Sequence, residues 1–380
     1  MRRTILFVLI VTAGCGARSE LANQGPTSST PADSGSQPSA CTLAAAVTLA
    51  SFSSTDDNAS APYVHDGFLY WSETSPTSVH DWWTGDGVEK STTVRRVPTS
   101  GGGVQALASF NARADRYALH VAYDDAFMYW AADPVGGPGE TNGTIVRTNL
   151  DGSNATTLLG GLTRPNGVVL AGGKLYFTAI VQNGGGTAYR MNVDGSGEEV
   201  IGHAELPFPS ETSDAVWTAD YVYASEGGEG IINRVATDDE QTTELVDLWD
   251  GGLAPGEPEL DGLSLQGSTG LALSWTSGNA QEPQPAEIVR WSPASGALET
   301  IATGLLVNSQ SVPSPLHRTA SDGVNAYATT NGSIVRVPLT GGSLETVGPT
   351  ESTGGIAFDD SRVYWISYDT STVTIYAACR

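Results

Sequence analysis

Four polar side chains with the chemistry of a small ligand site occur at one place in a repeated sequence phrase. His120, Asp214 and Arg318 each stand nine residues before the residue that marks their copy, and Asn166 is adjacent to that place in another copy. A histidine and a carboxylate can exchange protons with a substrate, and an arginine binds carboxylate or phosphate. Either they converge in a polar pocket, or they line a channel and hydrogen bond to one another and water. A cation beside Arg318 is disfavoured, so no metal and no cofactor is predicted.

A second candidate site is the run His80-Asp81-Trp82-Trp83. It lies in a segment between two predicted strands, and such connections often carry function. Adjacent indole rings provide a stacking and anchoring surface for a protein, peptide or glycan. The alternative is that one or both rings cover the end of the sheet.

The elements that would position these residues come from a phrase that recurs seven times. Each copy has a small aliphatic strand A, an aromatic-rich strand B, a strand C with an Ile-x-Arg pattern, and a strand D. The strand B markers are Tyr70, Tyr129, Tyr176, Tyr223, Ser274, Tyr327 and Tyr364. The strand C arginines are Arg96, Arg147, Arg190, Arg234, Arg290 and Arg336, with Tyr376 in the last copy. The repeat predicts an all-β, seven-bladed β-propeller of four-stranded antiparallel blades.

The two ends of the predicted domain complement each other. Leu49-Ala50-Ser51-Phe52 repeats the strand D segment Leu107-Ala108-Ser109-Phe110, whereas the last copy ends after strand C. We therefore expect the N-terminal strand to join the last blade and close the ring, which removes open sheet edges. Cys41 and Cys379 both align with the missing turn between strands C and D. A disulfide between them is predicted, and two free thiols are the alternative.

The start of the chain predicts export. Residues 1–14 have a basic start and a short apolar run, which is typical of a signal peptide. Thr12-Ala13-Gly14-Cys15 resembles a bacterial lipobox, which implies cleavage before Cys15 and lipid on its sulfur; an ordinary secretory signal is the alternative. Gly16 after the cysteine favours the outer membrane of the cell envelope. Residues 15–40 are rich in Ser, Pro and Gly and predict a disordered tether, and 41–380 form the propeller domain.

Composition limits the partners. The chain has 18 basic and 42 acidic residues and a net charge of −24, which excludes nonspecific binding of nucleic acid because phosphates are repelled. The same acidity suits a soluble monomer. Turns between strands A and B and between C and D are tight, whereas length varies in the B–C and D–A connections. These longer connections emerge on one face, which we expect to bind the ligand.

Tyr129-Trp130-Ala131-Ala132-Asp133 and the following Ile145-Val146-Arg147 resemble the YWTD repeat of the low-density-lipoprotein-receptor propellers. The resemblance implies a propeller whose aromatic and strand C polar positions pack one blade on the next. The chain departs from the family in lacking most of the Thr-Asp half and in having seven copies instead of six. Similar exported bacterial propellers include binding proteins, lyases and enzymes acting on sugars or lactones, so the resemblance does not decide the function.

These features predict a lipid-anchored envelope propeller that binds a protein, peptide or glycan through its loop-rich face and is not an enzyme. No recognisable catalytic motif is present in the sequence. The alternative is a lyase-type or hydrolase-type enzyme with its site at the channel mouth. A third possibility is a purely structural scaffold of the envelope.

Overall fold

The computed structural model describes part of residues 46–380. The gaps are 54–57, 60–61, 75–89, 113–120, 133–140, 164, 172, 181–185, 204–205, 209–214, 221–222, 225–226, 229–230, 237–241, 248–257, 267–268, 277–283, 293–296, 308–318, 331, 351–352 and 370. Contacts divide the chain into the units Met1–Ala40 and Cys41–Arg380, and every described residue belongs to the second. The described residues contain no helix, and hence none that is long and apolar enough to cross a membrane.

The described strands are rich in β-branched and aromatic residues, as pleated and half-buried segments require. The first are β1 (Val47–Ser53), β2 (Asn58–Ala59), β3 (Tyr63–His65), β4 (Phe68–Thr74), β5 (Lys90–Pro98), β6 (Gln105–Ala112), β7 (Ala122–Tyr123), β8 (Phe127–Ala132), β9 (Gly143–Asn149), β10 (Thr156–Leu162), β11 (Pro165–Ala171), β12 (Lys174–Ile180), β13 (Gly186–Asn192) and β14 (Glu199–His203). The next are β15 (Leu206–Phe208), β16 (Ala215–Asp220), β17 (Tyr223–Ala224), β18 (Gly227–Gly228), β19 (Ile231–Ala236), β20 (Thr242–Asp247), β21 (Pro258–Gln266), β22 (Thr269–Thr276), β23 (Gln284–Trp291) and β24 (Leu298–Val307). The last are β25 (Thr319–Ser321), β26 (Asn325–Thr330), β27 (Ser333–Pro338), β28 (Glu345–Pro349), β29 (Thr353–Phe358), β30 (Arg362–Asp369) and β31 (Thr372–Cys379).

These strands form seven larger antiparallel sheets, which we call blades 1 to 7 in chain order. Blade 1 contains β2 to β6, blade 2 β7 to β10, blade 3 β11 to β14, blade 4 β15, β16, β19 and β20, blade 5 β21 to β24, blade 6 β25 to β28, and blade 7 β29 to β31 with β1; β17 and β18 form a separate pair. The predicted four-stranded antiparallel sheets are confirmed. That these seven sheets make up the whole ring stays a prediction.

The N-terminal strand completes the last blade, as the sequence predicts. β1 runs antiparallel to β31, with Val47 opposite Ala377 and Ser53 opposite Thr372. Blade 7 therefore takes its outer strand from the beginning of the domain and its three inner strands from the end. This closure joins the two ends of the described chain in one hydrogen-bonded sheet.

The core lies between neighbouring blades. One cluster of buried residues joins blades 5 and 6 and is aliphatic, with Leu271, Ile288 and Val337 at 0% exposure. Another joins blade 7 to blade 1 and includes Trp71 and Tyr364. Burying one such side chain contributes about 1.5–3 kcal/mol. The blades are thus held face to face by the hydrophobic effect.

Glycines in the C–D turns bring each turn against the outer strand of the preceding blade. A Cβ at Gly152 of blade 2 would clash with the carbonyl oxygen of Leu107 in blade 1, and one at Gly195 of blade 3 would lie 2.9 Å from that of Leu158 in blade 2. Gly101 meets Leu49 of the closing strand in the same way, since its added Cβ would lie 3.0 Å from the Leu49 oxygen. Leu49 is therefore the counterpart of Leu107, as the sequence alignment predicts.

Arginines of strand C connect blades by hydrogen bonds. Arg147 Nη1 donates to the Val193 carbonyl oxygen of the next blade at 3.2 Å, and Arg336 Nη1 donates to that of Cys379 at 3.5 Å. Blade 7 lacks this arginine, and Arg362 Nη1 instead donates to the Thr99 carbonyl oxygen of blade 1 at 3.0 Å. These contacts give the most visible residues of the repeat a packing role.

The strand register corrects the markers in three copies. Arg234 lies opposite Trp217 and not Tyr223, which belongs to the small β17–β18 pair. In blade 5, Arg290 lies opposite Leu271, three residues before the predicted Ser274. In blade 7, Ala377 lies opposite Tyr364, and the predicted Tyr376 lies opposite Trp365. An aromatic pair is thus an unreliable marker of the residue that lies opposite the strand C position.

Candidate binding face

The connections between strands define two faces. The turn face carries the A–B and C–D connections, and the loop face carries the B–C and D–A connections. Five of the six C–D connections have six residues each and that of blade 4 has five; in chain order they are 99–104, 150–155, 193–198, 237–241, 292–297 and 339–344. B–C connections instead range from the two residues 331–332 to the fifteen residues 75–89. Variation is therefore concentrated on the loop face.

Where the structure describes them, the A–B and C–D connections of the turn face are short and closed by hydrogen bonds. In blade 7, Asp359 Oδ1 accepts the backbone N–H groups of Ser361 and Arg362 at 2.8 Å, and its Oδ2 accepts the Tyr364 hydroxyl at 2.5 Å. Asp322 accepts the Tyr327 hydroxyl at 3.0 Å in the corresponding turn of blade 6. These aspartates satisfy turn and tyrosine donors and need no ligand.

Burial and hydrogen bonding shift the acidities of these pairs. Burial raises the pKa of Tyr327 to about 12, with further contributions from the charge of Asp322 and its hydrogen bond. Burial alone would raise the pKa of Asp322, but the N–H donors of Asn325 and Val324 and the Tyr327 hydroxyl lower it overall. The pKa of Asp359 is lowered in the same way, because donation from Tyr364 and two backbone N–H groups outweighs burial. Both carboxylates are therefore held in their charged form.

The loop face collects the buried polar side chains of the described residues. Eight of the ten lie in the loop-face half of a strand or in a D–A connection: Ser72, Glu73, Thr92, Thr178, Thr319, Thr329, Thr350 and Ser367. The other two, Thr148 and Ser321, lie toward the turn face. Burying polar groups is costly unless they are hydrogen-bonded. Their concentration at one end of the blades therefore distinguishes the loop face from a purely structural surface.

Blade 1 carries a buried charge on this face. Glu73 is 0% exposed; its Oε1 accepts Trp71 Nε1 at 2.6 Å, and its Oε2 accepts Arg95 Nε at 2.8 Å. The guanidinium of Arg95 also lies 5.2 Å from the ring centre of Phe52 on the closing strand. Glu73 is the penultimate residue of β4, from which the connection 75–89 departs. The longest B–C connection among the blades thus begins close to a buried carboxylate whose charge is paired with Arg95.

The predicted site residues lie almost entirely outside the described residues. This holds for the aromatic run His80, Asp81, Trp82 and Trp83, for the channel-mouth residues His120, Asp214 and Arg318, and for Cys15 and Cys41. Asn166 lies on β11 opposite Thr178, and Cys379 is the last residue of β31. The convergence of the channel-mouth residues, the lipid attachment and the disulfide therefore all stay predictions.

The observed strand register changes the alignment of one predicted channel-mouth residue, Asp214. Asp214 stands nine residues before Tyr223, but the residue opposite Arg234 is Trp217. Nine residues before Trp217 is Phe208, which ends β15. The repeat therefore no longer aligns Asp214 with His120 and Arg318. The prediction that Asp214 lies at the channel mouth is then not supported by the repeat.

Sequence reasoning missed Glu73 and Arg95. The signal that could have found them is a departure between copies: the corresponding positions of blade 2, beside its own tryptophan Trp130, hold Ala132 and Val146. Arg95 is also adjacent to Arg96, and it is Arg96 that occupies the repeated arginine position, so the repeat does not distinguish Arg95. A charged pair at places that are apolar in the adjacent copy marks blade 1 as specialised.

No group of three side chains that could hold a metal ion occurs within the described part of the chain. The acidic turn residues are instead occupied by local donors. Asp151, for example, accepts the backbone N–H and the hydroxyl of Ser153, at 2.9 Å and 2.6 Å, and the pKa of Asp151 is lowered by these bonds.

Comparison with known proteins gives the fold. No family model matches the chain, and no curated protein sequence matches it. Solved structures do. An oligogalacturonate lyase from Vibrio parahaemolyticus is 10% identical, with a TM-score of 0.53 over 88% of this chain and 97% of that chain. The β-propeller domain of the Trilobed protease from Pyrococcus furiosus is 9% identical, with a TM-score of 0.52 over 85% and 95% of the two chains.

A puromycin hydrolase mutant reaches a TM-score of 0.56 at 13% identity, over 81% of this chain and 50% of that longer protein. At such low sequence identities, these structural similarities show the fold but not the activity. Together with the four-stranded antiparallel sheets and the absence of helix in the described residues, they establish that the chain folds as a β-propeller.

Proposed function

We propose that this protein is a lipid-anchored propeller of the bacterial cell envelope that binds a protein, peptide or glycan through its loop face, without catalysing a reaction. The observation that carries the proposal is the contrast between the two faces. In the part of the chain that the structure describes, the turn face has short, hydrogen-bonded connections, whereas most of the buried polar side chains lie toward the loop face, which also has the longest connections. A rigid scaffold that varies its loops on one face is suited to recognition there.

The position of the first described strand fits a tether. β1 is antiparallel to β31, so its first residue, Val47, lies beside Ala377 at the turn-face end of blade 7. The chain therefore enters β1 from the turn face. The lipid on Cys15, the tether 15–40 and the outer-membrane location are parts of the proposal.

The test uses the aromatic run. We expect replacement of both Trp82 and Trp83 by alanine to abolish capture of the partner from envelope extracts by the tagged mature protein. The melting temperature should not fall, because the run is predicted to lie in a connection between strands. The matched control is Val324→Ser, since Val324 is 67% exposed on the turn face. Unchanged capture by the double tryptophan variant would refute a role for this loop.

An enzyme with its site at the channel mouth is the second candidate. Its support is that structural neighbours of the same fold include a lyase and the propeller domain of a protease by name. Soaking crystals with a substrate analogue such as an oligogalacturonate fragment would test it. Density beside His120 and Arg318, together with turnover that is lost in His120→Ala, would favour this candidate. An absence of turnover across polysaccharide and peptide substrates would favour binding alone.

A further inference from the structure

Arg95 differs from the other arginines whose side chains are described. Most of these donate a terminal guanidinium nitrogen to a protein acceptor; they are Arg96, Arg147, Arg290, Arg336, Arg362 and Arg380. Arg95 uses only Nε, which donates to Glu73. Among the described residues, none accepts a hydrogen bond from its Nη1 or Nη2. Its side chain is 23% exposed, so these donors are within reach of solvent.

The guanidinium is nevertheless fixed in place. Glu73 holds Nε from a fully buried position, and Trp71 in turn holds the other carboxylate oxygen of Glu73. The Phe52 ring lies 5.2 Å from the guanidinium carbon, within cation–π range. Phe52 and Trp71 are themselves in contact, with ring centres 6.3 Å apart. Such support pre-orders a side chain and lowers the entropy that a ligand must overcome.

We propose that Arg95 is an anchor for an oxyanion of the partner, at the seam between blade 1 and the closing strand. A carboxylate or a phosphate can accept two parallel hydrogen bonds from the free edge of a guanidinium, a geometry that lysine cannot reproduce. Glu73, Trp71 and Phe52 are positioning residues that act through Arg95. The inference deepens the proposed function and rests on it, because it assigns a chemistry to what binds on the loop face.

Stability alone does not account for this cluster. A buried ion pair contributes little compared with apolar packing of similar volume, and blade 2 packs with Ala132 and Val146 at the corresponding positions. The chain also has 42 acidic against 18 basic residues. An arginine whose terminal N–H donors bond to no described residue can therefore attract an anion to a protein whose net negative charge otherwise repels it.

The experiment is a titration of the mature protein labelled with ¹⁵N-arginine, which follows the Nε–H signals by NMR. The signal of Arg95 is identified by its loss in Arg95→Lys. Sodium acetate and sodium phosphate are the two probes, and sodium chloride at matched ionic strength is the control. We expect a saturable shift of the Arg95 signal with acetate, phosphate or both, and the comparison decides between carboxylate and phosphate. The Arg362 signal should stay in place, since Arg362 already donates to Thr99.

A second variant separates positioning from charge. Glu73→Gln keeps Arg95 but loosens its hold on Nε, and we expect the anion to bind about tenfold more weakly. The double variant Glu73→Ala with Arg95→Val has the residue types of blade 2 at these two positions. We expect it to keep the wild-type melting temperature and to lose the anion-dependent change in the backbone amide signals of β5. If neither anion moves the Arg95 signal beyond the chloride control, the inference is wrong. That result leaves the Trp82 and Trp83 capture experiment intact, so the two failures are distinguishable.

Discussion

At the scale of single residues, the buried polar groups differ in whether they have hydrogen-bond partners. Asp322 and Asp359 are surrounded by local donors, whereas the hydroxyls of Tyr123 and Thr148 are buried and have no hydrogen-bond partner among the described residues. A buried hydroxyl in that condition costs about 1–3 kcal/mol. These residues therefore give opposite expectations for substitution.

We expect Thr148→Val to raise the free energy of unfolding by about 1 kcal/mol, because valine has the same shape and no hydroxyl to leave unsatisfied. The corresponding positions of blades 1 and 6 are already valine, at Val97 and Val337, both 0% exposed. Thermal and urea denaturation measure the change. Thr178→Val is the matched control: its threonine is equally buried but has a partner, so this variant should be destabilised. A destabilised Thr148→Val would show that its hydroxyl is satisfied in solution.

The lowered pKa values of Asp322 and Asp359 predict sensitivity to acid. A carboxylate whose pKa is lower in the folded state than the usual 3.8 stabilises the fold above that value and loses the contribution as the pH falls through its folded pKa. Stability should therefore decrease progressively below about pH 4. Asp359→Asn should cost about 1–2 kcal/mol at pH 7 and flatten this decrease. Asp360→Asn, in the same turn but exposed, is the control, and an equal slope in all three proteins would contradict the assignment.

At the scale of elements, the C–D turns position one blade on the next. Their glycines have positive φ values, 84° at Gly101 and 82° at Gly152, and they meet the backbone of the preceding outer strand. Both the conformation and the close approach exclude a side chain. The turns therefore constrain the spacing of the blades as well as the reversal of the chain.

We expect Gly152→Ala to destabilise the protein by about 2 kcal/mol or more, because its Cβ would add a backbone clash with Leu107 to the cost of a positive φ. Gly103→Ala is the control, since nothing lies within 4 Å of its added Cβ. Chemical denaturation of the two variants measures the difference. Equal stabilities would show that the blades can separate at this turn without cost.

The sequence predicts the repeat, the closing strand and the tight turns because these depend on local pattern. It misplaces the markers at Tyr223 and Ser274, because the residue opposite the arginine depends on how the strands pair, and Trp217 and Leu271 occupy that position. It also misses Glu73 and Arg95. Their significance arises from a contact between strands and with Phe52 of another blade, which no local pattern contains.

At the scale of the whole molecule, closure of the ring joins residues that are far apart in the chain. β1 pairs with β31, and Cys379 ends β31 on the turn face. A disulfide from Cys379 to the predicted partner Cys41 would reinforce the same closure. By the chain-entropy model, such a long loop corresponds to about 4–5 kcal/mol.

We therefore expect Cys41→Ser to lower the melting temperature and to remove the sensitivity of the wild-type protein to reducing agent. Mass spectrometry of the unreduced protein checks the pairing directly, through a cross-linked peptide that contains both cysteines. Two free thiols in the unreduced wild-type protein would refute the predicted disulfide, while the hydrogen-bonded closure by β1 would stand.

We propose that partners meet the loop face and not the turn face. To test this, a benzophenone photo-crosslinker is placed at one position of each face in the full-length protein. Leu306, near the loop-face end of β24, and Val324, in an A–B turn, are both exposed apolar residues, at 52% and 67%. Trp82 provides a second loop-face position. We expect adducts from positions 82 or 306 and none from 324; adducts from 324 alone would show that partners meet the turn face.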